Sequence, residues 1–293
     1  MCGLMTHPCG RCGDCLGPEK YSQYCANNGG AIGVHRDGAF AEYVLVDSRS
    51  SAKLPPSVSF ETAAPLACAG CTVWRGVLQS GLKAGEWLAI VGSGGGLGHL
   101  GIQFARALGI NVVGIDAREE GLELSRKAGA HVVVDARKGD KAVVEEVHKV
   151  TNGAGTDATI NVSDAKTAAA TACAVTKLHG LMVQIAQVST TPFRRGDLLT
   201  SQQPEQVSIP FHEFIFRDIR VQGSLICSPE EAKRMLDVVA EHKISVHTNP
   251  FQGLEKIPEL VELAHSGKMS GKGIVIVDPE QIEKEKDAGV DLV

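Results

Sequence analysis

The chain has 293 residues, enough for one large domain or two ordinary ones, and a hydrophobic share of 43% is sufficient for real cores. A net charge of −5 and a pI near 6.1 give no electrostatic reason for nucleic-acid binding. No apolar run is long enough to span a bilayer, and MCGLMTHPCG has no basic region followed by an apolar one, so no signal peptide is read there. The expectation is a cytoplasmic protein with no membrane and no nucleic-acid partner.

Nine cysteines are present, and four crowd into one stretch as Cys9-x2-Cys12-x2-Cys15-x9-Cys25. In a reducing compartment such a cluster points to metal rather than disulfides. Four thiolates can close around one tetrahedral Zn²⁺ and leave no open position, which is a structural site. It would tie down a loop with little apolar content of its own. The other readings are a reduced cluster without metal, redox chemistry through a CxxC pair, and a nucleic-acid-binding zinc ribbon. The last needs a basic surface, and only Arg11 and Lys20 are nearby cations. Further on, Asp37-Gly38 signals a turn and Ala39–Val46 (AFAEYVLV) reads as a strand. Pro55-Pro56 marks a connection. Glu61–Gly70 carries small apolar residues toward a second cysteine pair, Cys68 and Cys71, and Val73–Leu82 is expected to be helical.

Trp87–Asp116 is the most informative stretch. An apolar run, Trp87–Val91, reads as a buried strand. A glycine cluster follows at Gly92, Gly94, Gly95, Gly96 and Gly98, and Leu97, Leu100, Phe104, Ala105 and Leu108 then recur at helical spacing. Gly109 is placed to end that helix, and a second strand, Val112–Ile115, finishes at Asp116. Glycines permit a tight turn and let backbone approach a pyrophosphate, to which a helix N-terminus offers free N–H groups. Gly96-x-Gly98-x-x-Gly101 fits the dinucleotide pattern, and Asp116, 20 residues beyond Gly96, is placed to accept hydrogen bonds from both ribose hydroxyls. An acid there favours NAD over NADP, whose extra phosphate would face a negative charge. The bland alternative, a glycine-rich helix start in another α/β protein, leaves Asp116 unexplained.

The alternation continues. Helices are expected at Glu119–Ala128, Lys141–Val150 and Asp164–Thr176, and strands at His131–Val134, Asp157–Val162 and Leu181–Ala186. Repeated β-α units imply a parallel sheet with right-handed crossovers. Val188–His212 breaks the rhythm and reads as a surface excursion or subunit contact. Ile219–Ile226 resumes as a strand, and Ser228-Pro229-Glu230-Glu231 is a capping box opening a helix to about Glu241. Ile257–His265 is expected to be a helix and Gly273–Asp278 a late strand. The charged residues from Pro279 onward read as peripheral.

From Cys9 to Asp278 the chain resembles the zinc-containing medium-chain alcohol dehydrogenases of the fungal and bacterial tetrameric kind. The landmarks stand in order: the four-cysteine lobe, DGAFAEYVLVD, APLACAGCTVWRGV, GGGLGHLGIQFARALG, GID, INVS and GKGIVIVD. The resemblance implies an α/β protein, with a Rossmann domain at 73–243 and a partial GroES-like catalytic domain carrying the zinc lobe. That domain would be built from 1–72 and from the return and charged tail at 244–293. It implies NAD and zinc as cofactors, a small alcohol or aldehyde as substrate, and a homodimer or homotetramer. By position, Cys9, Cys12, Cys15 and Cys25 match the structural zinc ligands and Cys68 a ligand of the catalytic zinc. Thr72 matches a residue beside the nicotinamide. Gly92, Gly94, Gly95, Gly96, Leu97 and Gly98 match the pyrophosphate turn, and Asp116 the ribose partner. Ile185 and Gln187 match the strand end that holds the carboxamide, Ser224 and Leu225 the substrate side of the cofactor, and Lys272 an arginine that meets the pyrophosphate. Lysine keeps that charge and loses the bidentate fork. Without the resemblance Cys68 reads as a small core residue, Thr72 as a helix cap, and Cys71 as either core or half of a CxxC pair. His7, His35 and His99 read as surface or locally hydrogen-bonded residues and not as ligands.

One departure stands out. In relatives two further ligands of the catalytic zinc lie upstream of the four-cysteine lobe, and here only eight residues precede Cys9. The catalytic zinc set is therefore expected to be incomplete in this chain. Either the sequence is a truncated form of a full enzyme, or it is a shortened paralogue that binds NAD and assembles without turnover.

Overall fold

The computed structural model describes residues 1–187 and 206–290, so most of the excursion expected at Val188–His212 lies outside the described residues. The chain divides into two compact units, Met1–Arg75 with Leu225–Val293, and Gly76–Ser224. The helix that follows Ser228 groups with the first unit.

The first unit opens with a loop-rich lobe holding one short helix, α1 (Gly13–Leu16), and a 3-10 turn at Ser22–Tyr24. The strand expected at Ala39–Val46 does not form. A strand exists only as a paired object, because its N–H and C=O groups need a ladder. No described segment pairs with it, and Phe40, Tyr43 and Leu45 stand 57%, 89% and 82% exposed. Order returns at Ser59, whose Oγ accepts from Thr62 N (3.1 Å) and caps α2 (Phe60–Pro65). A wide π-type turn, Leu66–Gly70, leads into α3 (Cys71–Gln79). Within it Leu66, Ala69 and Gly70 are buried while Cys68 is exposed.

The second unit is a six-stranded all-parallel sheet. Its elements in chain order are β1 (Trp87–Val91), α4 (Gly98–Ala107), β2 (Asn111–Asp116), α5 (Glu119–Lys127), β3 (Val132–Asp135), α6 (Asp140–Val150), β4 (Thr156–Asn161), α7 (Ala168–Val175), β5 (Thr176–Gln184), α8 (Phe211–Ile215) and β6 (Arg220–Gly223). The strand order β3-β2-β1-β4-β5-β6 is that of the Rossmann fold. Val113 and Ile115 of β2 and Met182 of β5 bury with α6 and α7 residues such as Val143, Val147 and Ala172 in one core. At about 25 cal/mol per Å² of apolar area, burial of this kind is the main stabilising term. The helix expected at Asp164–Thr176 starts later and β5 earlier, because Thr176 leaves the helix to join the sheet beside Thr156. β1 and β4 are adjacent and the chain runs away from them in both directions, so their C-terminal ends form the switch point where open α/β sheets take ligands.

The first unit resumes with α9 (Pro229–His242), which carries the expected capping box at Ser228 and Glu231. β7 (Thr248–Gln252), α10 (Ile257–His265), β8 (Lys272–Ile276) and α11 (Pro279–Asp287) follow. β7 and β8 form a two-stranded parallel sheet in which Pro250 is opposite Ile274. Strand β7 is not legible in TNPFQ, since proline removes a ladder donor. It is tolerated because each strand of a two-stranded sheet has a free edge. No helix among the described residues is long and apolar enough to cross a membrane.

Candidate functional site

In the first unit the four lobe cysteines converge. Their Sγ atoms all lie within 4.8 Å of one another, with Cys12 and Cys15 sulfurs 3.5 Å apart and those of Cys9 and Cys15 4.0 Å apart. A tetrahedron of sulfurs about 2.3 Å from a zinc has edges of about 3.8 Å, so the donor set fits one closed ZnS₄ site. Backbone N–H groups, Arg11 foremost, pull the Cys9 thiol down to about 6, while desolvation holds Cys15 up to about 12. The lobe therefore offers a ready thiolate at Cys9, and a cation is what lets Cys15 ionise beside it.

The lobe is braced within its own unit. Arg75 is buried with its guanidinium 4.8 Å and 5.2 Å from the ring centres of Tyr21 and Tyr24, and it donates to Tyr24 Oη at 3.2 Å. Leu225 N donates to the same hydroxyl at 3.1 Å, and Lys20 pairs with Glu230 at 2.8 Å. Buried Asp47 fixes the approach to Cys9, accepting from His7 N (2.7 Å), Arg49 N (3.0 Å) and the Arg49 guanidinium (2.7 Å to Nη2). Arg49 beside it holds the Asp47 carboxyl well below the usual carboxylate range. With a depressed folded-state pKa, its contribution is complete above about pH 4 and lost as pH falls further. Asp47→Asn should cost about 2–3 kcal/mol at neutral pH and should flatten the acid limb of the stability profile below pH 4, read by thermal melts across pH.

In the second unit the glycine turn joins β1 to α4. Gly92 has φ +85°, and a Cβ there would press on Ser163 at 3.0 Å. A Cβ on Gly94 would lie 1.9 Å from Gly121 O, and one on Gly98 2.3 Å from Gly92 O. The turn is thus packed backbone to backbone on α5, with a buried Ser93–Ser125 hydroxyl bond (2.7 Å) beneath it. Gly95, Gly96 and Leu97 complete the turn, and no side chain caps α4, which leaves its N-terminus to an anion. Asp116 is buried at the end of β2; its Oδ2 accepts from Gly94 N at 2.9 Å and its Oδ1 from Arg118 N at 3.0 Å. The Arg118 guanidinium lies 3.5 Å from the same carboxylate. The Gly94 tether and Arg118 are the parts the sequence reading missed. A cation two residues after the acid was the available signal. A carboxylate offers about four acceptor positions, so Asp116 retains capacity for a ribose hydroxyl.

Ile185 and Gln187 lie just beyond β5, where Ile185 N donates to Asn161 O at 3.0 Å. Ser224 follows β6 and donates to Gln184 O at 3.0 Å. These residues share the C-terminal edge of the sheet with the glycine turn. Cys68, Thr72, Leu225 and Lys272 belong to the first unit. Thr72 Oγ1 donates to Cys68 O at 2.7 Å, a bond back to the preceding turn and not a helix cap, and Lys272 opens β8. Cys68 is exposed, unlike a small core residue, and among the described residues the only cluster of three or more metal-ligating side chains is the four-cysteine lobe, to which Cys68 does not belong. His35 Nδ1 accepts from Ala31 N at 3.1 Å and His99 Nδ1 bonds Gly95 O at 2.8 Å, both local, whereas His7 donates its backbone N–H to Asp47, 40 residues on.

Residues 96–241 match the family model of zinc-binding dehydrogenases. An alcohol dehydrogenase of Geobacillus stearothermophilus is 32% identical over 273 residues, spanning 92% of this chain and 73% of its own. One of Rhizobium meliloti (strain 1021) is 31% identical over 272 residues, spanning 90% and 71%. The crystal structure of the alcohol dehydrogenase of Aeropyrum pernix superposes with a TM-score of 0.78 at 26% identity, covering 94% of this chain and 75% of that one. With its parallel sheet, glycine turn and cysteine lobe, the chain belongs to the zinc-type medium-chain alcohol dehydrogenase family, a family of oxidoreductases.

Proposed function

We propose that the chain binds NAD at the glycine turn and serves the reversible oxidation of a small primary or secondary alcohol to its aldehyde or ketone. The observation that carries this reading is the Gly94–Asp116 tether at the switch point of the sheet. Bound NAD supplies the hydride acceptor. The turn and the uncapped start of α4 hold its pyrophosphate, Asp116 accepts from its adenosine ribose, and Ile185, Gln187 and Ser224 orient the nicotinamide. Thr72, Leu225 and Lys272 are assigned to cofactor contact by family position. One zinc is assigned to Cys9, Cys12, Cys15 and Cys25 as a structural ion. Around Cys68 the described residues gather no group of three or more metal-ligating side chains for a second, catalytic zinc. That same observation favours the second reading, an NAD-binding and assembling protein without turnover.

Zinc per chain, NADH titration and ethanol turnover on one sample separate the two. One zinc with NADH binding and no turnover favours the second reading; turnover favours the first; no NADH binding sinks both. Asp116→Asn should weaken NADH about 10- to 100-fold, the worth of a charge-assisted hydrogen bond, and should narrow the preference over NADPH, read by fluorescence titration of both coenzymes. Arg118 beside the acid offsets part of the repulsion of a ribose phosphate, so that preference is modest from the start. A homodimer or homotetramer is proposed on the exposed β6 edge of the sheet, with light scattering as its test. The nine free cysteines suit the cytoplasm, where thiols stay reduced.

A further inference from the structure

Two cysteines outside the lobe meet in the first unit. Cys71 opens α3, and Cys227 lies in the loop entering α9; both are buried, at 4% and 5% exposure. Cys227 N donates to Cys71 O at 3.2 Å. A backbone bond of this kind places the two Cα atoms about 5–7 Å apart, within or near the span of a disulfide. Beside the pair is a small cavity lined by Met1, Met5, Gln23, Cys71, Cys227 and Ser228 among others. It has about 30 Å³ of room for a water-sized guest, and one water needs roughly 10–15 Å³. Gln23 is 3% exposed, and neither its Nε2 nor its Oε1 has a partner among the described residues. A buried amide with both ends unpaired, on a cavity of that size, is built for a small polar guest.

We propose that Cys71 and Cys227 are a redox-active pair that closes to a reversible disulfide when hydrogen peroxide enters the cavity beside them. Peroxide is a guest of about two waters' volume that can hydrogen-bond the Gln23 amide. Cys71, as thiolate, attacks one peroxide oxygen. An S–O bond forms, the O–O bond breaks, and the departing hydroxide takes a proton to leave as water. The Cys227 sulfur then attacks the sulfenic sulfur of Cys71. The S–S bond forms, the S–O bond breaks, and the Cys227 proton leaves with hydroxide as a second water. Two thiols are oxidised by two electrons in all, and one peroxide is reduced to two waters; an added dithiol reverses the change. Both residues line the cavity, so the same disulfide forms if the two sulfurs exchange roles. The bond staples the start of α3 to the entry of α9 across a long chain separation.

The test uses the zinc-loaded full chain exposed to graded hydrogen peroxide, alkylated, and mapped by mass spectrometry without reduction. The expected product is a Cys71–Cys227 peptide pair lighter by two hydrogens and released by dithiothreitol. Cys173, buried without a described cysteine neighbour and pushed up to about 12, should stay alkylatable. Oxidation should raise the Tm of the wild-type chain by roughly 5–10 °C, and should not raise that of Cys227→Ser or Cys71→Ala. The proposal is overturned if both thiols remain free at doses that already oxidise exposed Cys68, or if Cys71 is found bridged to Cys68 instead.

Discussion

Gly94→Ala should abolish NADH binding while leaving a weakened fold. The added methyl would lie 1.9 Å from Gly121 O and 2.2 Å from Gly121 Cα, both backbone atoms. No side-chain rotation relieves that contact, so the β1–α4 turn must lift from α5. The lift breaks the Gly94 N–H bond to Asp116 and moves the carboxylate, which a Cβ on Gly121 would meet at 2.4 Å. Overpacking of this kind costs about 3 kcal/mol or more in stability. Displacing both the pyrophosphate turn and the ribose acceptor should weaken NADH by at least about 100-fold. Gly129→Ala is the control. Its φ of +92° makes alanine there strained, but no atom lies within 4 Å of the added Cβ, so about 1–2 kcal/mol of stability should go and NADH affinity should hold. Thermal melts and fluorescence titration of both variants decide the matter. Equal NADH affinity in Gly94→Ala and wild type would remove the turn from the cofactor site.

Both parts of the candidate site could be read from residues alone. The stretch Trp87–Asp116 is legible because everything in it is local: an apolar run, glycines where backbones touch, helical spacing and an acid at a strand end. The cysteine lobe is legible for the same reason, since its four cysteines lie within 17 residues. Reading fails where a partner from elsewhere decides. AFAEYVLV has strand composition, and it stays irregular because no described segment offers it a ladder. TNPFQ lacks strand composition, and it is a strand because Lys272–Ile276 pairs with it. The contact between Cys71 and Cys227 joins residues far apart in the chain, and neither cysteine alone distinguishes core packing from chemistry. Cys68 shows the opposite error, since its type suggests burial and its place on the wide Leu66–Gly70 turn exposes it.

Removing zinc, or replacing one of its ligands as in Cys12→Ser, should melt the lobe and leave the Rossmann unit able to bind NADH. The lobe has no buried residue in its helix and one, Gln23, in its 3-10 turn, so hydrophobic burial does not hold it together. What remains is the cluster of sulfurs within 4.8 Å and the brace through Tyr21, Tyr24 and Arg75. Without a cation, four thiols at that spacing cannot share the negative charge that binds them, and the loop loses its fixed points. Release of Tyr24 also frees Leu225 N and one bond of Arg75, whose buried charge then lacks part of its solvation. The loss should amount to several kcal/mol within the first unit, seen as a lowered first melting transition and as protease cleavage between residues 9 and 25. Acid should act in the same direction as chelation. Each ligand must be a thiolate, so zinc affinity falls as pH falls, and release is expected below about pH 5–6. The glycine turn and Asp116 lie wholly within Gly76–Ser224, so the adenosine half of the coenzyme keeps its contacts when the lobe is gone. An unchanged melt and an intact lobe in Cys12→Ser would show that the cluster is not a metal staple. Loss of NADH binding in step with zinc would show that the two units cannot be treated separately in coenzyme recognition.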